Sequence, residues 1–229
     1  MQKFDTPAAV LAILDIPAGR IQFIAADRAD TTVEVLPADK SKSRDVKAAE
    51  QVTVEYRDGV LHIEAATAKN RILGNSGSVE VTVQLPAGSR VEAKAAAAEL
   101  RGVGRLGDIT FEGAQALVKL DETASARLTL QAGDVFIGRL NGPAQISTQK
   151  GDLNIAEATN GTVELRTESG DITIGAARGV SASLDAGTTY GRTHNTLKNT
   201  DGATAGLNIQ ATTAHGDITA HSLSPTRSL

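Results

Sequence analysis

The chain has 229 residues, a formal net charge of −4, no cysteine, no tryptophan and only 3 % aromatic residues. That length can bury a substantial core without a covalent staple, and the missing thiols exclude disulfides, thiolate metal ligands and cysteine nucleophiles. The acidic balance and the scarcity of rings exclude the basic stripe or stacking platform of a nucleic-acid binder.

The opening segment MQKFDTPAAVLAILDIPAGR carries an apolar run that Lys3 and Asp5 precede and that Asp15 and Pro17 cut short. It lacks the longer apolar region and small-residue cleavage site of a secretion signal. No run approaches the roughly 18 to 20 apolar residues of a membrane span, so a soluble, cytoplasmic protein is expected. Pro17-Ala18-Gly19 reads as a turn before RIQFIA, and Asp27 to Asp30 as another before TTVEVL. Period-two alternation in TTVEVL and in VTVEY (52–56) predicts half-buried strands. VTVEY joins VLHIEA through Arg57-Asp58-Gly59, and Asp-Gly supplies the positive φ angles of a tight hairpin turn. The intervening DKSKSRDVKAAEQ is charged and reads either as a solvated loop or as a single helical turn.

Further along, GSVEVTVQLPAGSRVEAKA repeats the strand, Pro-Ala-Gly, strand order of LDIPAGRIQF, an internal echo that predicts stacked sheets. The alanine content of VEAKAAAAELRG (91–102) favours a helix. Its neighbours are strand-like, however, and Val91, Ala93, Ala95 and Ala97 alternate with other positions, so a strand is expected.

From Gly107 the repetition is explicit. Gly107-Asp108, Gly133-Asp134, Gly151-Asp152, Gly170-Asp171 and Gly216-Asp217 each precede an aliphatic residue, with Gly191-Arg192 as a degenerate member; the intervals are 26, 18, 19, 21 and 25 residues. A unit such as GTVELRTESGDITIGAAR holds two short alternating strands, each ended by glycine. Such a unit buries its inward face only against its neighbours, as one coil of a β-solenoid does. Glycine enters positive φ at each bend without steric cost. The aspartate beside it reads first as a turn residue that accepts backbone N–H groups.

Other motifs carry less. Gly102-Val103-Gly104-Arg105-Leu106-Gly107 matches a dinucleotide fingerprint, but a strand-like ITFEG follows where a helix is required. Stacked Asp134, Asp152 and Asp171 could in principle hold calcium or divide roles in glycoside cleavage; the uneven intervals argue against a regular ion ladder. His194, His215 and His221 fall near the end of the sequence and read as strand histidines. Threonines in TTY and TTAHGDIT resemble the rows of flat ice-binding solenoids but do not continue from unit to unit. Asn160-Gly161-Thr162 reads as a turn.

TTYGRTHN, ATTAHGDITAHSL and RTESGDITIG together resemble a bacterial putative-adhesin family of unassigned function, whose β-strand repeats carry a Gly-Asp-Ile or Gly-Asp-Val step and a Thr-x-Tyr-Gly turn. The likeness covers nearly the whole chain and is strongest from about Gly107 to Leu223. It implies a right-handed β-solenoid-like stack and no catalytic residue. Gly191-Arg192 departs from the Gly-Asp step, and an adhesin would need a surface signal or anchor that the sequence does not display.

The resulting expectation is an all-β chain in three parts: a strand region forming a hairpin and sheet cap over 1–88, the solenoid repeats over 89–223 and a tail over 224–229. Its expected role is that of a non-catalytic interaction or scaffolding module without cofactor or metal, with a protein partner, as monomer or homodimer. The candidate interaction edge carries Asp134, Asp152 and Asp171 with Arg166, and with Arg139 and Arg178 near in sequence. A calcium- or carbohydrate-directed β-helix and a self-assembling protein with a blunt cap at SLSPTRSL are the alternatives.

Overall fold

The computed structural model describes residues 1–65 and 77–224, and the expected tail lies, beyond Ser224, outside them. The chain forms two compact units, Met1–Val118 and Lys119–Leu229.

The first unit contains β1 (Gln2–Asp5), β2 (Leu11–Ala26), β3 (Asp30–Pro37), α1 (Ser43–Glu50), β4 (Val52–Arg57), β5 (Val60–Ala65), β6 (Val79–Pro86) and the start of β7 (Arg90–Ala132). β2 lies at its centre. On one side its first half pairs in parallel with β5 and its second half with β6; on the other side the whole strand pairs in parallel with β7. The apolar opening run is therefore a core strand: Ala12, Leu14, Ile16, Ile21 and Phe23 are at most 1 % exposed. β4 pairs antiparallel with β5, β3 pairs antiparallel with β6, and β1 pairs antiparallel with β3.

The hairpin from VTVEY to VLHIEA forms as the sequence predicts, with Asp58 and Gly59 at φ 52° and 82°. The charged segment after β3 is a helix of eight residues, whose buried Asp45 accepts a hydrogen bond from the Ser78 N–H at 3.0 Å. The two Pro-Ala-Gly tripeptides differ. Pro86-Ala87-Gly88 turns, whereas Pro17-Ala18-Gly19 runs on inside β2. There Gly19 (φ 141°) lies so close to Val79 that a Cβ would sit 1.8 Å from its carbonyl oxygen.

The alanine-rich 91–102 is strand, and Val91, Ala93 and Ala95 point inward as expected. Ala97 does not: it is exposed and pairs with Ala18, where the buried positions of both strands switch parity, from Ile16 to Ile21 in β2 and from Ala95 to Leu100 in β7. Gly102 to Gly107 continue the same strand, with no helix following to receive a dinucleotide.

The second unit takes the end of β7 and adds β8 (Val135–Leu140), β9 (Ala144–Lys150), β10 (Leu153–Ala158), β11 (Gly161–Ser169), β12 (Ile172–Ala176), β13 (Ala182–Tyr190), β14 (Thr193–Thr196), a short 3₁₀ turn (Gly202–Thr204), β15 (Leu207–His215) and β16 (Ile218–Ser222). Each coil contributes one strand before its Gly-Asp corner and one after it. The pairings from β8 to β16 are parallel, with one register shift between Ile155 and Ala158 where β10 meets β12. This is a β-solenoid-like stack. Its core is narrow and built from aliphatic side chains such as Ile137, Ile155, Ile174, Val163, Ile209 and Ile218, none more than 1 % exposed.

The stacking order is not the chain order. After β11–β12 the chain runs to the outer coil β13–β14, then returns so that β15–β16 inserts between them. The interval of 25 residues between Gly191 and Gly216 spans this return.

The edge strands of the first unit are tied by charge. Asp30 receives Arg28 at 2.9 Å and Lys3 at 3.1 Å, which hold its carboxyl at about 2, well below its ordinary 3.8. A depressed carboxyl stabilises the folded state fully above its unfolded pKa and loses that contribution as the pH falls through the folded one. Wild type is therefore expected to lose stability progressively from about pH 3.8 to about 2 through this group. Asp30→Asn lacks that component, so the difference between the two urea midpoints should narrow across that interval; a constant difference would refute the assignment.

Candidate interaction surface

The Gly-Asp corners of the second unit form a continuous ladder. The Asp134 Oδ1 accepts the backbone N–H of Asp152 at 2.9 Å, the Asp152 Oδ1 that of Asp171 at 2.8 Å, and the Asp171 Oδ1 that of Asp217 at 2.8 Å. The Asp217 Oδ1 then accepts the N–H of Arg192 at 2.9 Å. The glycines stack with it. Gly170 (φ 154°) and Gly216 (φ 150°) approach the coil below so closely that a Cβ on either would sit 2.0 Å from the preceding glycine's carbonyl oxygen.

Threonine completes the corner. The Thr167 hydroxyl donates to Gly151 O, that of Thr213 to Gly170 O and that of Thr188 to Gly216 O, at 2.9 to 3.1 Å. Thr148, Thr167, Thr213 and Thr188 share one register across four coils. Thr148, Thr167 and Thr213 are buried. The threonine rows thus do continue from coil to coil, contrary to expectation, but they face inward, where an ice-binding row would face outward. The repeat is Thr-x-x-Gly-Asp, a spacing visible in the sequence at 148–152, 167–171 and 213–217.

Of the expected interaction edge, Asp134, Asp152 and Asp171 are brought together, and Asp217 joins them. Arg166 stands apart from the ladder, on the exposed face of β11. Arg139 pairs with Glu157 at 3.6 Å on β8 and β10. Arg178 lies exposed after β12. Arg192 takes the aspartate position in the outermost coil, where its guanidinium also reaches Asp217 Oδ2 at 3.0 Å. The backbone N–H of Arg192, and then its side chain, hold the Asp217 carboxyl below its ordinary 3.8.

The Tyr190 ring, two-thirds exposed, stacks on His215 with centroids 4.9 Å apart. Among the described residues no three His, Cys, Asp or Glu side chains converge as a metal cluster, and no helix is long and apolar enough to cross a membrane.

Sequence reasoning passed over the outward face of β9, β11, β15 and β13. Two rows run across it in register, one through Arg127, Gln145, Glu164 and Gln210, the next through Thr129, Ser147, Arg166 and Thr212. The signal was present in the sequence as polar positions alternating with the aliphatic core residues of these strands.

The architecture is that of a repetitive, parallel β-stack whose corners are fastened by side chains. The chain belongs to the Toastrack family, DUF4097, which it matches over residues 13–221. It resembles the crystal structure of a putative adhesin from Bacteroides fragilis, with a TM-score of 0.58 and 13 % identity over 96 % of this chain and 95 % of that one. A putative cell adhesion protein from Clostridium sporogenes aligns over 97 % of this chain and 98 % of its own, at 14 % identity and a TM-score of 0.40. A putative lipid binding protein from Parabacteroides distasonis aligns over 97 % and 96 %, at 10 % identity and a TM-score of 0.40. Nothing among the curated proteins matches the chain. None of these three structures is described as an enzyme.

The expected cytoplasmic placement is corrected: the Bacteroides fragilis structure of like fold is described as a putative adhesin, which points to a surface setting rather than the cytoplasm. The physical ground for it also falls. The apolar run judged too short for a leader is core strand β2, and a core strand carries no information about compartment.

Two substitutions separate the parts of the corner. Gly170→Ala forces a left-handed backbone angle on a side chain that has no room, and is expected to cost about 3 kcal/mol or more. Asp171→Ala removes one acceptor at an exposed corner and is expected to cost about 1 kcal/mol, with much of that recovered in Asp171→Asn. In thermal melts these correspond to roughly 6 to 12 °C and roughly 2 to 4 °C; equal effects would mean that steric fit does not dominate the corner.

Proposed function

We propose that this chain is a non-catalytic binding module that works at a cell surface, presenting the outward face of the end of β7 and of β9, β11, β15 and β13 to a partner. One observation carries the reading. The aspartates that chemistry would need are engaged by the backbone of the next coil, whereas Arg127 and Arg166 on that face have no ion-pair partner among the described residues. Solenoid faces of this kind form extended binding surfaces. The description of the Bacteroides fragilis protein as a putative adhesin supports the same reading. Arg166 is the contact residue of the expected set, and the Asp134, Asp152 and Asp171 edge is the rim that fixes the face.

Self-assembly is a second reading, favoured by the outermost coil. There β13 pairs only with β15 and β14 only with β16, so each leaves one edge unpaired among the described residues. Edges of this kind accept further strands. Under the first reading, Thr212→Trp, which fills the face and leaves the core intact, should weaken binding to an immobilised panel of glycans, lipids and extracellular proteins at least tenfold without lowering Tm. Binding that survives the substitution, or chemical turnover of the bound species, would overturn the reading.

A further inference from the structure

The two rows on this face enclose a groove of about 360 Å³ that includes Arg127, Gln145, Ser147, Arg166 and Gln210 in its lining, within the roughly 300 to 1,000 Å³ of small-ligand sites. It arises because short hydroxyl side chains lie between long ones. Its lining brings two arginines together with amides and hydroxyls. Of the exposed arginines, Arg20 has Glu80 and Glu99, Arg139 has Glu157, and Arg192 has Asp217, whereas Arg57 and Arg105 have no ion-pair partner among the described residues. Arg127 and Arg166 also have none among the described residues, although the chain carries more acidic than basic residues, and they are the two that share one groove. Glu164, the one carboxylate of the groove, is engaged by the Gln145 amide at 3.4 Å.

We infer that the groove binds an acidic oligosaccharide, a chain of carboxylated sugars. This rests on the reading of the same face as the binding surface and names its ligand class. Guanidinium groups form paired hydrogen bonds to planar carboxylates. Carboxamide and hydroxyl groups both donate and accept, as a polyhydroxylated ligand requires. The two arginines stand on strands two coils apart, separated by about 10 Å at ordinary strand spacing. That separation suits anions repeated along a polymer better than one compact ion. No aromatic side chain lines the groove, so a neutral sugar would find no stacking surface, and the charge carries the recognition.

The test is calorimetric titration of the full chain with a hexuronate hexasaccharide, and with neutral and sulfated oligosaccharides of equal length. Binding to the hexuronate is expected, weakened at least tenfold by Arg166→Gln and by Arg127→Gln, unchanged by Arg139→Gln outside the groove, and reduced by added salt. Equal affinity for the neutral chain, tighter binding of the sulfated one, no binding of the hexuronate, or indifference to both arginine substitutions would overturn the assignment. If the hexuronate fails while Thr212→Trp still abolishes a panel interaction, the ligand class falls and the binding face stands. If Thr212→Trp disturbs nothing that wild type binds, the face itself falls.

Discussion

Everything in the second unit depends on how the chain turns its corner without leaving backbone groups unpaired. At each Gly-Asp step the glycine N–H and the aspartate C=O stay in the ladder: Gly170 N–H reaches His215 O and Asp171 O receives Leu153 N–H, both at 2.9 Å. The glycine C=O and the aspartate N–H swing out of it. A buried peptide group without a partner costs about as much as a lost hydrogen bond, and the corner recurs in every coil. Two side chains resolve the problem in opposite directions along the stack. Aspartate accepts the N–H from the coil on one side, threonine donates to the C=O on the other, and glycine allows the close approach that makes both reachable.

This arrangement explains Arg192. An aspartate is useful only where another coil follows to offer its N–H, and the β13–β14 coil is the outermost of the stack. Its corner needs no acceptor, and a carboxylate there would stand beside that of Asp217 with nothing to hold. A guanidinium instead closes the ladder on Asp217 Oδ2. The residue that looks in sequence like a defect in the repeat is its terminus. Sequence order conceals this because the chain travels to the end of the stack and then comes back to fill the place it skipped.

What the sequence made legible is what local chemistry dictates. The Asp58-Gly59 hairpin, the alternating strands and the turn role of the aspartates follow from φ preferences, period two and hydrogen-bonding capacity. The alanine-rich segment went to strand because its inward positions obey the period of a sheet up to Ala95. What escaped was set by neighbours distant in the chain. Nothing in Pro17-Ala18-Gly19 reveals that Val79 presses against it, and nothing in Thr213 reveals that Gly170 lies beneath. The polar face was equally hidden. Arg127, Ser147, Arg166 and Gln210 become one surface only when the register between β7, β9, β11 and β15 is known.

That division bears on where function lies. Residues that fasten the coils are constrained by backbone geometry, and changing them changes whether the stack forms at all. The outward positions of the strands are free of that demand: a residue there need only be compatible with a sheet and with water. A repeat of this kind can therefore keep one scaffold whatever its exposed rows carry, and the two arginines above a hydroxyl floor, without an ion pair among the described residues, are a feature that the scaffold does not require. On the proposed reading an anion supplied from outside the chain meets them, along a groove that runs across several coils.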